Sequence, residues 1–302
     1  MGAALALGLI WGDAASWTER ATLPLLTLVM TLATLGVPGS TFRHPKSLVT
    51  PALAGIVLSY GVQGGFLLAC SRLLISEAGL RTGFIILAVV PPAVAVIPFT
   101  LFLDGDRSFS LIGTIGAYLG ALVITPLMAL LFLGSGFVDP GRLIIIMLEL
   151  ILLPLILSRI VLRTGLTPRL TPITGTITNW SFFVLTYTIV GLNRPVFLTD
   201  PLSLTPVASI AVASTFVLGW VIEGIGRLFH IQRKTLVCLV LLGTLKNYGL
   251  AGGLALALFS MKTALPATVS AIFMITYIIY LEWGGRSARK VIEREQGHVG
   301  KG

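Results

Sequence analysis

Charged residues are scarce in this chain, and their scarcity excludes a soluble globular protein. Only 11% of the 302 residues are charged, 55% are hydrophobic, and the mean hydropathy is +0.96. A soluble domain carries about 25% charged residues, so most of this surface must face lipid. The apolar runs are long and continuous and do not alternate with polar residues, which favours membrane-spanning helices over a transmembrane barrel.

Residues that would support other classes of protein are also few. The two cysteines, Cys70 and Cys238, lie in apolar runs, which argues against a disulfide framework. The three histidines are scattered over loops and the tail, and no HExxH or GxSxG motif is present. The net charge of +9 comes mostly from loops between apolar runs and indicates orientation in a membrane. We therefore predict no enzyme activity, no metal site, no cofactor and no nucleic-acid partner.

Ten apolar segments follow one another along the chain. A helix needs roughly 20 apolar residues to cross a bilayer. The first segment is short for a full span. The ten segments are 2–12, 22–38, 49–70, 82–103, 108–134, 142–162, 177–193, 203–227, 235–259 and 264–284.

The distribution of Lys and Arg predicts the orientation of these segments. Loops after the even-numbered segments hold nine basic residues and the tail 285–302 holds five, whereas loops after the odd-numbered segments hold six. Because cytoplasmic loops are enriched in Lys and Arg, we predict a multi-pass protein of the cell (plasma) membrane with a cytoplasmic C-terminus. The remaining basic residue, Lys246, lies inside segment nine.

Five segments in each half would give the halves opposite orientations, as in inverted-repeat transporters. The repeats are predicted at 1–134 and 142–284. The fourth segment of each half is interrupted, by Pro91, Pro92 and Pro98 in the first half and by a polar, glycine-containing stretch in the second. Transporters of this kind bind substrate where such broken helices cross near the midplane. The predicted site in the second half is Lys246, Asn247, Tyr248 and Gly249.

At these residues the chain resembles the bile acid:sodium symporter family. The resemblance is strongest at 247–251 and 264–267, and it extends to 24–30, 42–45, Pro91, Gly105-Asp106 and Pro154. It implies an all-α integral membrane fold of ten transmembrane helices in two inverted five-helix repeats, with helices 4 and 9 broken and crossing. A panel domain at 1–38 and 142–193 would rock against a core domain at 49–134 and 203–284. It also implies transport of organic anions coupled to two sodium ions.

The chain departs from that family where the resemblance places the sodium ligands. Val96, Ile97, Leu242 and Lys246 stand at ligand positions, and only two side-chain ligands are kept, Ser110 and Thr114. Sodium is a hard cation that needs several oxygen donors, which Val, Ile and Leu side chains do not supply. We therefore predict that both sodium sites are absent.

Lys246 is the central candidate, because a charge at bilayer depth costs about 2.5–3.5 kcal/mol on insertion scales and is functional by default. Its ammonium could replace a sodium ion as a fixed or protonatable charge, bind an anionic substrate directly, or form a structural ion pair. Glu149, in segment six on the panel side, is the predicted partner, and a pair that forms and breaks between panel and core would be a gate.

The leading hypothesis is a secondary transporter of a small organic anion that works by alternating access without sodium, as a proton-coupled carrier, an exchanger or a facilitator. A sodium-coupled organic anion symporter, a cation/proton antiporter and a non-transporting membrane sensor are the alternatives. The antiporter would need a central carboxylate, and the sensor has no appended soluble domain to support it. The predicted partners are the anion, protons and the lipid bilayer. The sequence predicts neither the substrate's identity nor the oligomeric state.

Overall fold

A computed structural model describes residues 2–35, 45–134, 141, 145, 148–192, 194–199 and 201–299. Some predicted features lie outside the described residues. They are the end of segment two at 36–38, part of segment six at 142–144 and 146–147, the loop residues of the family resemblance at 42–44, and the last residues of the tail at 300–302.

Helices form almost all of the described chain. Short helical turns at Ala15–Thr18, Glu19–Ala21 and Arg194–Thr199 join some of the longer elements. The longer helices are α1 (Gly2–Ile10), α2 (Thr22–Leu35), α3 (from Pro45 to Leu74), α4 (Ala78–Val89), α5 (Val96–Phe102), α6 (Arg107–Leu133), α7 (Leu153–Arg163), α8 (Thr167–Leu192), α9 (Pro201–Leu228), α10 (Arg233–Thr244), α11 (Tyr248–Leu258) and α12 (Met261–Val299).

Several of these helices have the length and composition of membrane spans. Within the described residues, four are long and apolar enough to cross a bilayer: Leu48–Leu74, Arg107–Leu133, Pro201–Leu228 and Met261–Trp283. Two shorter apolar helices lie next to breaks in the helical structure: α4 ends just before one break, and α11 begins just after another. The chain is thus a multi-pass helical membrane protein.

Two helices extend well beyond the predicted segments. Segment seven was predicted at 177–193, but α8 begins at Thr167 and carries Pro168 in its first turn, where a missing N–H is tolerated. Segment ten was predicted to end at 284, but α12 continues to Val299 through a stretch rich in Glu, Arg and Lys, which favour helix. Hydropathy misses both extensions, because it reports the apolar part of a helix and not its polar turns.

Segments four and nine are both interrupted. After α4, Val90 is extended (φ −76°, ψ 154°) because the following proline disfavours the helical conformation, and helix resumes at Val96. After α10, Leu245 is extended (φ −110°, ψ 107°) and α11 begins at Tyr248. Pro98 plays no part in the break. It lies in the first turn of α5, where it removes no helical hydrogen bond.

The helices pack in two sets. In one set α1 contacts α8, and α2 contacts α7 and α8. In the other set α3 packs along α6, α12 packs on α4, α9 and α11, and α10 packs on α9. Within this second set, α3 and α9 each contain a π-helical stretch, at Val57–Gly64 and Ala213–Val217. The interrupted segments therefore lie within the second set, beside two locally unwound helices.

Close packing of α3 on α6 depends on glycines, and the approach is tightest at Gly55. A Cβ added at Gly55 would lie 2.1 Å from the Gly113 carbonyl oxygen, a backbone atom that cannot move alone. At Gly120, by contrast, an added Cβ would meet only the ends of two isoleucine side chains at 3.3 Å.

We therefore expect Gly55→Ala to lower the melting temperature of the purified protein strongly, with a loss of correctly folded material. Gly120→Ala should change it little, because alanine favours helix over glycine by up to about 1 kcal/mol and offsets the small crowding. Thermal unfolding in detergent measures both. Equal melting temperatures for the two variants would contradict the close helix contact.

Candidate functional site

The two interruptions meet in an antiparallel bridge between Pro92 and Lys246. The N–H of Ala93 donates to the Leu245 carbonyl at 2.8 Å, and the N–H of Asn247 donates to the Pro91 carbonyl at 3.0 Å. Each break leaves backbone groups without helical partners, and in a membrane such groups need a partner from elsewhere. At this crossing the two extended stretches partly satisfy each other.

The Lys246 ammonium is enclosed by oxygen atoms of the second helix set. Its Nζ donates to the carbonyls of Ala88 at 2.8 Å and Val90 at 2.7 Å and to Ser59 Oγ at 3.1 Å, and the Tyr60 ring centroid is 4.8 Å away. An ammonium has three donors, so all of them are used. The whole residue is 0% exposed.

This cage closes the C-terminal end of α4. Such an end carries unpaired carbonyls and the negative end of the helix dipole, which favour a cation. Lys246 accounts for the Ala88 and Val90 carbonyls, and the Thr125 hydroxyl donates to the Val89 carbonyl at 2.6 Å. The arrangement is that of a bound cation at a helix end, with the cation supplied by the chain.

The structure does not bring the predicted partner, Glu149, to Lys246. Glu149 lies in the π-helical turn Leu148–Leu152 and is exposed. The ammonium points instead toward α3 and the end of α4, where three oxygens already satisfy it. The predicted Lys246–Glu149 pair is therefore not formed in this conformation.

Asn247 organises the start of α11. Its Oδ1 accepts from the Leu250 N–H at 3.0 Å and caps the helix, and its Nδ2 donates to the Tyr118 hydroxyl at 2.8 Å. Nδ2 also lies 3.9 Å from Met30 Sδ on α2, in the other helix set. Asn247 thus joins α11 to α6 and touches α2.

The remaining predicted residues take separate places. Tyr248 is buried and its hydroxyl donates to the Thr244 carbonyl at 3.4 Å, while Gly249 faces Leu26. On α6, the Ser110 hydroxyl donates to the Arg107 carbonyl at 3.4 Å, and the buried Thr114 hydroxyl has no hydrogen-bond partner among the described residues.

At the positions where the family resemblance places other sodium ligands, apolar side chains are found. Val96 and Leu242 are fully buried in one apolar cluster, and Ile97 lines the cavity described next. None of the three supplies a side-chain oxygen.

A cavity of about 830 Å³ lies between the two helix sets. One wall is the crossing, including Val94, Pro98 and the residues from Lys246 to Gly249, and the others come from α1, α2, α8 and α12. The walls carry apolar and aromatic side chains with a few amides and hydroxyls. The ionisable side chains among the lining residues are Lys246 and Tyr248, and both are buried.

Several backbone N–H groups at the crossing have no acceptor among the described residues. Those of Val94, Ala95, Lys246 and Gly249 belong to residues that line the cavity. Ala95 precedes α5 and Gly249 lies in the first turn of α11, so the positive ends of both helix dipoles are close to these donors. Such donors favour a negatively charged or strongly accepting group in the cavity.

Sequence reasoning missed Ser59, Tyr60 and the α8 wall of the cavity. Ser59 and Tyr60 lie in the π-helical part of α3, where the local sequence Ser-Tyr-Gly-Val-Gln interrupts an apolar run. Because π-helical turns are frequent at functional sites, that polar interruption was the available signal. The polar residues of α8 gave a weaker signal, because threonine is common in membrane helices.

Comparison with known proteins gives one family. The family model described as the Sodium Bile acid symporter family matches residues 23–199, more than half of the chain. No curated protein matched the chain. The matched range includes the first interruption, whereas Lys246 and the second interruption lie beyond it.

Proposed function

Because the chain belongs to the sodium bile acid symporter family, whose members are membrane transporters of organic anions, we propose that it carries a small organic anion across the membrane by alternating access without sodium. The observation that carries the proposal is the Lys246 ammonium in its cage of oxygens. A cation of the chain occupies the kind of position that a coupling ion would otherwise fill.

Matched irregularities in the two halves support an inverted repeat. The third segment of each half contains a π-helical stretch, at Val57–Gly64 and Ala213–Val217, and a further π-helical turn lies in segment six at Leu148–Leu152. The interruptions, at 90–95 and 245–247, lie in the fourth segment of each half. In inverted-repeat transporters the halves run in opposite directions and the site lies between the broken helices.

The two helix sets correspond to the panel and core of an alternating-access carrier. The panel would comprise α1, α2, α7 and α8, and the core would comprise the remaining helices. The cavity lies between the sets, and Asn247 of the core touches Met30 of the panel beside it. Rocking of one set against the other would open the cavity to alternate sides of the membrane.

The substrate's anionic group would bind the N–H groups of Val94, Ala95 and Gly249. The Lys246 ammonium is not free to bind that group, since it is buried and its three donors are used. Its role is therefore to hold the crossing and to supply positive charge from behind it.

Proton coupling is a second form of the same function, and the Ser59 contact favours it. A serine hydroxyl can accept from an ammonium or donate to a neutral amine. If Lys246 lost a proton during the cycle, Ser59 could donate to Nζ while the two carbonyls kept their donors. The cage can then hold either protonation state.

Sodium independence is tested with the purified protein. We expect thermal-shift binding of monocarboxylate probes (benzoate, octanoate and cholate) to be equal in sodium and potassium salts of the same ionic strength. Uptake of any probe that binds, measured in proteoliposomes, should be equally indifferent to sodium. Acceleration of uptake by external sodium would overturn the proposal and favour the sodium-coupled alternative. Binding without uptake would favour the membrane sensor.

A further inference from the structure

The α8 wall of the cavity carries polar side chains that no other part of the site uses. Thr174, Thr178 and Asn179 all line the cavity. The Thr174 hydroxyl donates to the Leu170 carbonyl at 2.9 Å and is satisfied within the helix. The Thr178 hydroxyl and the Asn179 carboxamide have no hydrogen-bond partner among the residues that the structure describes.

Thr178 and Asn179 are polar side chains on a membrane helix, and both line the cavity. Polar side chains in membrane helices usually face the interior or a water-filled cavity, and they commonly mark substrate pathways. A carboxamide offers two donors and an acceptor oxygen, and a hydroxyl offers one donor and two lone pairs. Thr178 and Asn179 are consecutive residues, so together they present both kinds of group without any charge.

We infer that Thr178 and Asn179 form a second polar subsite, which takes an uncharged hydroxyl or amide group of the substrate. This inference rests on the proposed function, because it assumes that the substrate's anionic group lies at the crossing. The substrate is then a carboxylate with an apolar body and a neutral hydrogen-bonding group distant from the carboxylate. The aromatic and aliphatic residues between the two polar sites, such as Phe182 and Leu26, would contact that apolar body.

The test compares probes that differ only in the second polar group. A series of ω-hydroxycarboxylates of increasing chain length is compared with the unsubstituted carboxylates of the same lengths. Binding to the purified protein is measured by thermal shift at one fixed salt concentration. One hydrogen bond between neutral groups contributes about 0.5–1.5 kcal/mol, so at the best length the hydroxylated probe should bind about two- to tenfold more tightly.

Variants of α8 decide whether the two side chains cause that preference. Thr178→Val and Asn179→Leu together should reduce the ratio of the two affinities to about one, while binding of the unsubstituted carboxylate persists. The matched control is Thr171→Val on the same helix, whose hydroxyl donates to the Thr167 carbonyl away from the cavity. That variant should keep the ratio.

The outcomes separate the inference from the proposed function. Wild-type protein with no preference at any chain length, or a double variant that keeps the preference, would overturn the subsite and leave carboxylate transport standing. Sodium-stimulated uptake would overturn the proposed function, and the affinity ratio would still report on the subsite because it is measured at one salt. Failure of every carboxylate to bind would overturn both.

Discussion

Transport by a Lys246→Ala variant is expected to fall to background. The substitution leaves the Ala88 and Val90 carbonyls without their donor at a fully buried helix end. A buried polar group left unsatisfied costs about 1–3 kcal/mol, and the positive charge behind the crossing is lost as well. We therefore expect a lower melting temperature in addition to the lost uptake of a carboxylate probe in proteoliposomes.

Small cations are expected to restore part of the lost activity. The alanine variant keeps Ser59 Oγ, the two carbonyls and the Tyr60 ring around a vacated volume. Methylammonium matches the charge and N–H donors of the missing head group, and sodium matches its preference for oxygen ligands. Uptake by the variant should rise with either ion, whereas uptake by wild-type protein should not.

Two further variants control this experiment. Lys246→Met keeps most of the side-chain volume without the charge, so it should be inactive and should not respond to added cations. Lys262→Ala removes an exposed lysine that pairs with Glu77, and exposed pairs contribute little, so its uptake should match wild type. Full activity of the alanine variant without added cation would show that the ammonium has no role.

The sequence was sufficient to identify Lys246 and the two interruptions, because each feature is visible without tertiary structure. A charged residue inside an apolar run is rare, and adjacent prolines cannot continue a helix. The same logic was misleading for Pro98, since a proline in the first turn of a helix does not break it. Whether a proline breaks or begins a helix depends on where the helix starts, which hydropathy does not give.

The composition of the cage could not be predicted. The acceptors of the Lys246 ammonium are two backbone carbonyls and a serine hydroxyl, which carry no charge for a sequence search to match. Opposite charge pointed to Glu149, which the structure leaves exposed. Likewise, Ser59 and Val90 are far apart in the chain. They come together only because α3 packs against the end of α4, which the sequence does not show.

Substitution of Asn247 by alanine is expected to reduce uptake about tenfold or more, because this side chain fixes the geometry of the crossing. Alanine removes the cap of α11, which is worth about 1 kcal/mol, and leaves the Leu250 N–H and the Tyr118 hydroxyl without their partner. Each of these buried groups left unsatisfied costs a comparable free energy. The start of α11 and the N–H donors beside it would therefore shift. Uptake of a carboxylate probe and thermal unfolding measure the two effects.

Two single variants separate the functions of Asn247. Asn247→Ser keeps a capping oxygen but is too short for the 2.8 Å contact with Tyr118, and Tyr118→Phe removes the same contact from the other side. If capping positions the anion site, Asn247→Ser should retain most of the affinity for the probe, and Tyr118→Phe should lower stability more than affinity. If both variants lose affinity as fully as Asn247→Ala, the link to α6 is the essential contact. Wild-type uptake by Asn247→Ala would contradict any role of this residue in the site.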